Sequence, residues 1–353
     1  MCLKKYKDIM KISSFSSKSN KIDVNGSYLI MDMGAVDRNG YNISSKLTLS
    51  NKDLLSKGEI ILVKDDIGGG NIIGKCCIID QNDKYVCGDH VFKINLNNDI
   101  DKLYFCYYNN FINEKRYLQV MTGTSQKSIT KGVLEKFTIP YIDMERQTKI
   151  GSFFKELDEL IEMYADYKSL IIDKIKYTLS NAKPSTDKKC KVSELYDITR
   201  GYYIPKDSLS MHGTYPVYSS QTKNKGIMGY SSKYLFEDCM IWSTDGYAGE
   251  VRYVPGKFNC TNVCGVMINN EGYCNSYMAY YLNKLFKKYV SNSGIPKLMN
   301  NVVQNIPIEL PTLEEQYELS NFIDEAVKLI DCIDQLMISL TDKKKYYLNK
   351  IFN

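Results

Sequence analysis

Near the middle of the 353-residue chain stands "FTIPYIDMERQTKIGSFFKELDELIEMYADYKSLIIDKIKYTL", and near the end "IPIELPTLEEQYELSNFIDEAVKLIDCIDQLMISLTDKKKYYL". Each has a Pro (Pro140, Pro311), a short polar link, a Gln (Gln147, Gln316) and then a long helical pattern. Ile150, Phe153, Leu157, Leu160, Tyr164, Tyr167 and Ile171 step by three and four. So do Leu319, Phe322, Ala326, Leu329, Ile333, Leu336 and Leu340, each 169 residues after its partner. Apolar residues at that spacing form an a/d seam, which buries itself against another helix. Thr312-Leu313-Glu314-Glu315 is a capping box for the second helix, and Asp143 can cap the first. Pro184 stops the first helix soon after Ala182.

The duplication extends upstream of both helices. "LYFCYYNNFINEKRY" from Leu103 resembles "SYMAYYLNKLFKKYV" from Ser276. "GEIILVKDD" aligns with "EDCMIWSTD", which sets Asp66 opposite Asp245. "IGGGNIIGKCCII" aligns with "GYAGEVRYV", and "YKDIMKIS" with "VSELYDITRG". The expected fold is therefore α+β: two mixed α/β globules joined by two long antiparallel coiled-coil helices, a pseudo-twofold internal repeat. The boundaries fall at residues 1–140, 141–183, 184–311 and 312–353. Roughly 34 helical residues span about 50 Å, so such a chain is a ruler with two heads.

The run from Gly69 to Lys75 spells G-x-x-x-x-G-K, one residue short of a phosphate-binding loop. The Ser or Thr that would ligate Mg²⁺ is replaced by Cys76. The residues after Lys75, "CCIID", are a short β-branched run, so they read as a strand and not as the helix a phosphate site opens. The second copy carries Glu250 where the first has Lys75, an anion no phosphate cradle tolerates. A tight Gly turn between strands is the simpler reading.

Composition excludes several other classes. The eleven cysteines include no C-x-x-C pair, and with only His90 and His212 a zinc site lacks its usual ligands. Two histidines also leave little for His-based catalysis. No metal and no cofactor is expected. No run of 18 apolar residues exists to span a membrane, and the N-terminus lacks a signal-peptide core, so a cytoplasmic protein with no membrane association is expected. The net charge of +5 permits nucleic-acid binding without announcing it.

"YPVYSSQTKNKGIMGY" (Tyr215–Tyr230), "GIPKLMNNVVQNIPIELPTLEEQ" (Gly294–Gln316) and "GTSQKSITKGVLEKFTIPYIDMERQ" (Gly123–Gln147) carry a closer identification. With the duplicated globule-plus-helix plan, they resemble the specificity (S) subunit of type I restriction–modification enzymes, over essentially the whole chain. The first globule departs most, having "MDMGAVDRNGYN" in place of the "YSSQTKN" run. The resemblance implies that residues 1–140 and 184–311 are target-recognition domains, each reading one half of a split double-stranded DNA sequence. It implies that 141–183 and 312–353 are spacer helices that set the gap and dock two DNA methyltransferase subunits, to which nuclease–translocase subunits can attach. It also implies no active site, and no N-P-P-[YFW] or D-P-P-[YFW] run or complete Walker motif is present.

Reading residues belong in loops of the globules. Gln and Asn pair bidentately with adenine, and Lys and Arg reach guanine or phosphate. In the first globule the candidates are Arg38, Asn39, Lys64, Asn71, Lys75, Gln126 and Lys127. In the second they are Arg200, Gln221, Lys223, Asn224, Lys225, Arg252 and Lys297, the last the counterpart of Lys127. Each is equally at home as a solvated loop residue. The docking and coiled-coil seam is assigned to Ile150, Phe153, Leu157, Leu160 and Tyr164, with Leu319, Phe322, Leu329, Ile333 and Leu336. Three rival functions stay open: the recognition subunit of a type IIB-like enzyme, a coiled-coil adaptor with no DNA role, and a P-loop NTPase.

Overall fold

A computed structural model describes residues 2–15, 22–112, 114–182, 189–291 and 293–352. The chain begins with β1 (Cys2–Lys5), α1 (Tyr6–Ile9), β2 (Met10–Ser14), β3 (Tyr28–Met31), β4 (Leu47–Thr48), β5 (Ile60–Val63) and β6 (Asp65–Asp66). After these stand β7 (Cys76–Ile78), β8 (Tyr85–Cys87), β9 (Val91–Leu96), α2 (Lys102–Ile112) and α3 (Glu114–Val120). β10 (Lys127–Ser128), α4 (Lys131–Leu134) and β11 (Thr138–Tyr141) lead into the long helix α5 (Met144–Asn181). The pattern then restarts with β12 (Lys189–Lys191), α6 (Val192–Leu195), β13 (Asp197–Arg200), β14 (Tyr215–Tyr218) and β15 (Ile227–Ser231). It continues through β16 (Phe236–Ser243), β17 (Val251–Cys260), β18 (Cys264–Ile268), α7 (Ser276–Phe286), α8 (Asn300–Val303) and β19 (Pro307–Glu309) to the long helix α9 (Leu313–Phe352).

Two compact units result, Met1–Ala165 with Gln335–Asn353, and Asp166–Asp334. Each therefore takes a part of both long helices. The first holds a four-stranded sheet of order β2-β9-β5-β7, and the second repeats that order as β13-β18-β16-β17. In the second the sheet continues through β14 and β15, with β14 parallel to β17. In the first, β3 runs parallel to β8 and antiparallel to β4 in a separate sheet. The inserted hairpin thus joins by the same parallel contact in both copies.

The central strands β5 and β16 are buried on both faces, because they are apolar at consecutive positions. Ile60 and Leu62 of β5 enter a core with Phe105, Tyr104 and Phe154, while Ile61 and Val63 enter a second core with Met31, Val36 and Leu55. Met240 and Trp242 of β16 likewise join Leu282 and Phe286, and Ile241 joins Val254 and Phe258 on the other side.

The Pro–link–Gln motif acquires a physical role. Gln147 and Gln316 are both fully buried. The Gln147 amide donates to the carbonyls of Ile142 and Asp99 and accepts from the Asp101 N–H. The Gln316 amide donates to the Pro311 carbonyl, five residues back as in Gln147, and accepts from Asn275. Each latches the start of a long helix to its own globule. The caps form as their spacing predicts. The Arg146 N–H donates to Asp143, and Thr312 and Glu315 exchange reciprocal bonds. Helix α5 ends at Asn181; Pro184 lies outside the described residues.

Within each unit the helix segments pack antiparallel. In the first, Phe153 stacks edge-on with Tyr347, Phe154 meets Phe352, and Lys344 is paired with Asp158. In the second, Lys168 binds both oxygens of Asp334 and Lys174 lies over Phe322. The expected seam is not uniformly buried. Ile333 is buried, and Ile150, Leu157, Leu160, Tyr164, Leu319 and Phe322 are half-buried, but Phe153, Leu329 and Leu336 are exposed by 36%, 41% and 39%. The first turns of α5 instead turn Gly151 and Phe154 inward, because they pack on the globule as well as on α9. Leu329 borders an open, mainly apolar groove of about 490 Å³ with Tyr167, Leu170, Ile171, Phe322 and Ala326. Among the described residues no helix is long and apolar enough to cross a membrane.

Candidate nucleic-acid interface

Four backbone hydrogen bonds define one small frame in each unit. In the first, Val63 N–H donates to Lys75, Gly74 N–H to Val63, Lys64 N–H to His90 and Ile129 N–H to Lys64. In the second, the same bonds run from Ser243 to Glu250, Gly249 to Ser243, Thr244 to Val263 and Leu298 to Thr244. These bonds make Asp65, not Asp66, the equivalent of Asp245. They make Ser128, not Lys127, the equivalent of Lys297. The correction is a one-residue slip, to which the tandem Asp65-Asp66 lends itself, and a slip of one turns a strand residue to the other face.

The two equivalent carboxylates hold different partners. Asp65 accepts from His90 Nδ1 at 2.7 Å, and the Gln126 amide stands 3.3 Å from the same nitrogen. His90 adopts a left-handed φ of 67°, its side chain 40% exposed. With Nδ1–H donated to Asp65, Nε2 is the ring nitrogen left for another partner. Asp245 instead accepts from Thr244 at 2.7 Å and faces Arg200 at 3.6 Å and Lys297 at 3.9 Å. Arg200 is further anchored on the Asn262 carbonyl at 2.7 Å and on Thr244 at 3.1 Å. His90 and Asp65 are 25 residues apart, so no local motif announced them.

The glycine run of the first unit is already filled. Asp66 accepts from Gly68 N–H at 2.7 Å and Gly70 N–H at 2.8 Å, so the amides that would cradle a phosphate bind the chain's own carboxylate. Asn71 closes the same turn on the Gly68 carbonyl. Lys75 is buried, its ammonium on the Asn110 carbonyl at 2.7 Å and Glu114 at 3.3 Å. Lys75 is thus not the exposed loop cation expected: it ties the turn to α2 and α3. Lys64 is half-buried, 5.8 Å from the Phe92 ring. Arg38 and Asn39 are exposed in the loop after β3, shaped by Asp37, which accepts from the N–H groups of Asn39 and Tyr41. Lys127 donates to the Gly123 carbonyl, and Gln126 is exposed.

In the second unit, Gln221 spends its amide on the carbonyls of Ile227 and Lys223, and Asn224 donates to Ile227. Arg252 donates to the Lys225 carbonyl and to Glu250. The Arg252 charge also opposes the upward push that burial gives the Tyr218 hydroxyl. Lys225 is paired with Asp331 of α9. Lys223 is exposed. The exposed groups of the two faces are thus cations, amides and an imidazole, suited to phosphates and base edges.

The sequence profile described as type I restriction modification DNA specificity domain matches residues 3–171 and again 184–342. A Mycoplasma pneumoniae protein whose name assigns it provisionally to the type I specificity subunits is 35% identical over 161 residues, 44% of each chain. The chain thus spans less than half the length of that relative. A second such protein from the same organism is 28% identical over 238 residues, 63% of this chain and 96% of the relative. The crystal structure of a type I restriction–modification S subunit from M. genitalium superposes with a TM-score of 0.73 at 19% identity, over 100% of this chain and 96% of that one. At that identity the likeness is one of fold.

Proposed function

The chain belongs to the type I restriction modification DNA specificity family, which it matches twice, and from this we propose that it is a non-catalytic subunit that recognises a bipartite DNA sequence. In this reading residues 1–140 and 184–311 each read one half-site of double-stranded DNA. The long helices set the spacing and dock two DNA methyltransferase subunits, with nuclease–translocase subunits joining through them.

The observation that carries the reading is the repeated frame with unlike exposed groups. Asp65 and Asp245 stand at one backbone position, yet one orients His90, the other Arg200 and Lys297. A duplicated scaffold with divergent polar loops fits two readers of different sequences better than a pair of identical adaptors. Arg38, Gln126, Lys223 and Lys297 stand exposed and remain candidates for DNA contact, with the half-buried Lys127 and Arg200 beside them.

The test is a duplex titration with the subunit assembled on its methyltransferase partner. Specific binding is expected to fall steeply with salt, by roughly 0.9 log units per log unit of salt for each phosphate contact. The chain alone is expected neither to methylate, to cleave nor to hydrolyse ATP. Salt-independent or absent binding to the methylated motif favours the adaptor; ATP turnover that survives repurification favours an enzyme.

A further inference from the structure

Resting on the assignment of the second unit as a DNA reader, we propose that Lys225 is a positioning residue and not a DNA contact. Its ammonium clamps the β14–β15 loop to α9, so the long helix sets the pose of the loop that faces the second half-site.

The geometry is two-sided. Lys225 Nζ stands 2.6 and 2.7 Å from the two oxygens of Asp331, one turn below Asp334, which holds Lys168. From the sheet side the Arg252 guanidinium donates to the Lys225 carbonyl while also holding Glu250 at 3.2 Å. Between these anchors the backbone is left-handed at three consecutive residues, Asn224 (φ 48°), Lys225 (φ 50°) and Gly226 (φ 85°). Asn and Gly adopt that region readily, but Lys225 stays there only where its surroundings hold it. The Gln221 amide, bonded to the Ile227 and Lys223 carbonyls, supplies the rest of that hold. The result is a held loop in which Lys225, though exposed, is paired with Asp331, while Lys223 is exposed and has no such pairing among the described residues.

The first unit braces its corresponding loop by other chemistry. Lys344 of α9 is paired with Asp158 of α5, and its ammonium lies 6.0 Å from the Tyr41 ring. Burial, and then the charge of Asp158, push the Tyr41 hydroxyl above the usual phenol range. In each unit the variable loop leans on the long helices, by a lysine in one and a tyrosine in the other.

A clamp and a phosphate contact respond differently to salt. A lysine held by a carboxylate releases no counterion from DNA, so its loss lowers affinity without changing the salt slope, whereas a lost phosphate contact lowers the slope by about one unit. The experiment compares Lys225→Met, Asp331→Asn and the charge swap Lys225→Glu with Asp331→Lys in the assembled complex. Each is titrated with the duplex the complex methylates, and Lys223→Met serves as the phosphate-contact control. Each single clamp variant is expected to bind about two- to fivefold more weakly with the wild-type slope, as suits an exposed ion pair, and the swap to return within about twofold of wild type. A flattened slope in Lys225→Met with Asp331→Asn unchanged overturns the clamp, as does a swap no better than the singles. Hydrogen exchange of residues 219–227 in the chain alone is a readout independent of DNA. Faster exchange in Asp331→Asn at unchanged melting temperature supports the clamp, and unchanged exchange overturns it. A wild-type complex without specific binding defeats the DNA reading but leaves that second measurement to decide the clamp.

Discussion

In the second unit β17 runs unbroken from Val251 to Cys260 and carries β14 and β15 into a six-stranded sheet. In the first the same path breaks between Ile78 and Tyr85, and β3, β4 and β8 form a sheet of their own. The parallel contact of the inserted hairpin and the four frame hydrogen bonds nevertheless recur in both. Backbone bonds are indifferent to side chains, so a duplicated scaffold keeps them while its exposed residues drift. The shared part positions a carboxylate, and the unshared part decides what that carboxylate orients.

Substitutions at equivalent positions can break this comparison. The largest effect is expected at the turn glycines. A Cβ on Gly74 would stand 2.1 Å from the Tyr117 ring, whereas on Gly249 its nearest neighbour is a Val290 methyl at 2.9 Å. Both have positive φ, 76° and 79°. Gly74→Ala is therefore expected to cost about 3 kcal/mol and Gly249→Ala about 1–2 kcal/mol by denaturant unfolding; the reverse order contradicts the packing described. Next come the latches. Gln147→Leu and Gln316→Leu each strand buried polar groups and are expected to cost about 2–3 kcal/mol. Hydrogen exchange should loosen only the first unit in one and only the second in the other. Loosening of both by either variant would mean that the latches do not act within their own units.

Smaller effects concern reading. His90→Ala is expected to relax one position of the first half-site by about 1–3 kcal/mol of discrimination, and Arg200→Ala one position of the second. Binding to a panel of substituted duplexes measures both, and a loss spread over both half-sites would show that the faces are not separate. Lys223→Met is expected to lower the salt slope by about 0.9 without touching stability. Lys75→Met should do the opposite, because its ammonium is buried against Asn110 and Glu114. A slope change in Lys75→Met would return that residue to the interface.

The repeat, the two helices and their caps are legible in the sequence because they rest on local spacing: steps of three and four, Asp143 before one helix, Thr312 and Glu315 at the other. The exposure of Phe153, Leu329 and Leu336 is not, because an a/d pattern does not say where a globule takes over one side of the helix. The role of Gln147 and Gln316 needed the third dimension, since their partners include Asp99, Asp101 and Asn275. The fate of Lys75 depended on groups 35 and 39 residues away. The slip between Asp65 and Asp66 arose where two identical letters stand side by side and only hydrogen bonding distinguishes them. Lys225 was recognisable as a cation in a loop, but its partner Asp331 lies 106 residues on, in a helix whose pattern suggested only a spacer.

Two separable readers on one repeated frame is the claim at the centre, and methylome sequencing tests it most directly. Cells would express the methyltransferase partner with either the native chain or a chain whose residues 184–311 are exchanged for those of another family member. The expected result is a methylated motif in which one half-site changes while the other half-site and the spacer between them stay the same. A folded, assembled and active exchange that alters both half-sites, or neither, would contradict the account.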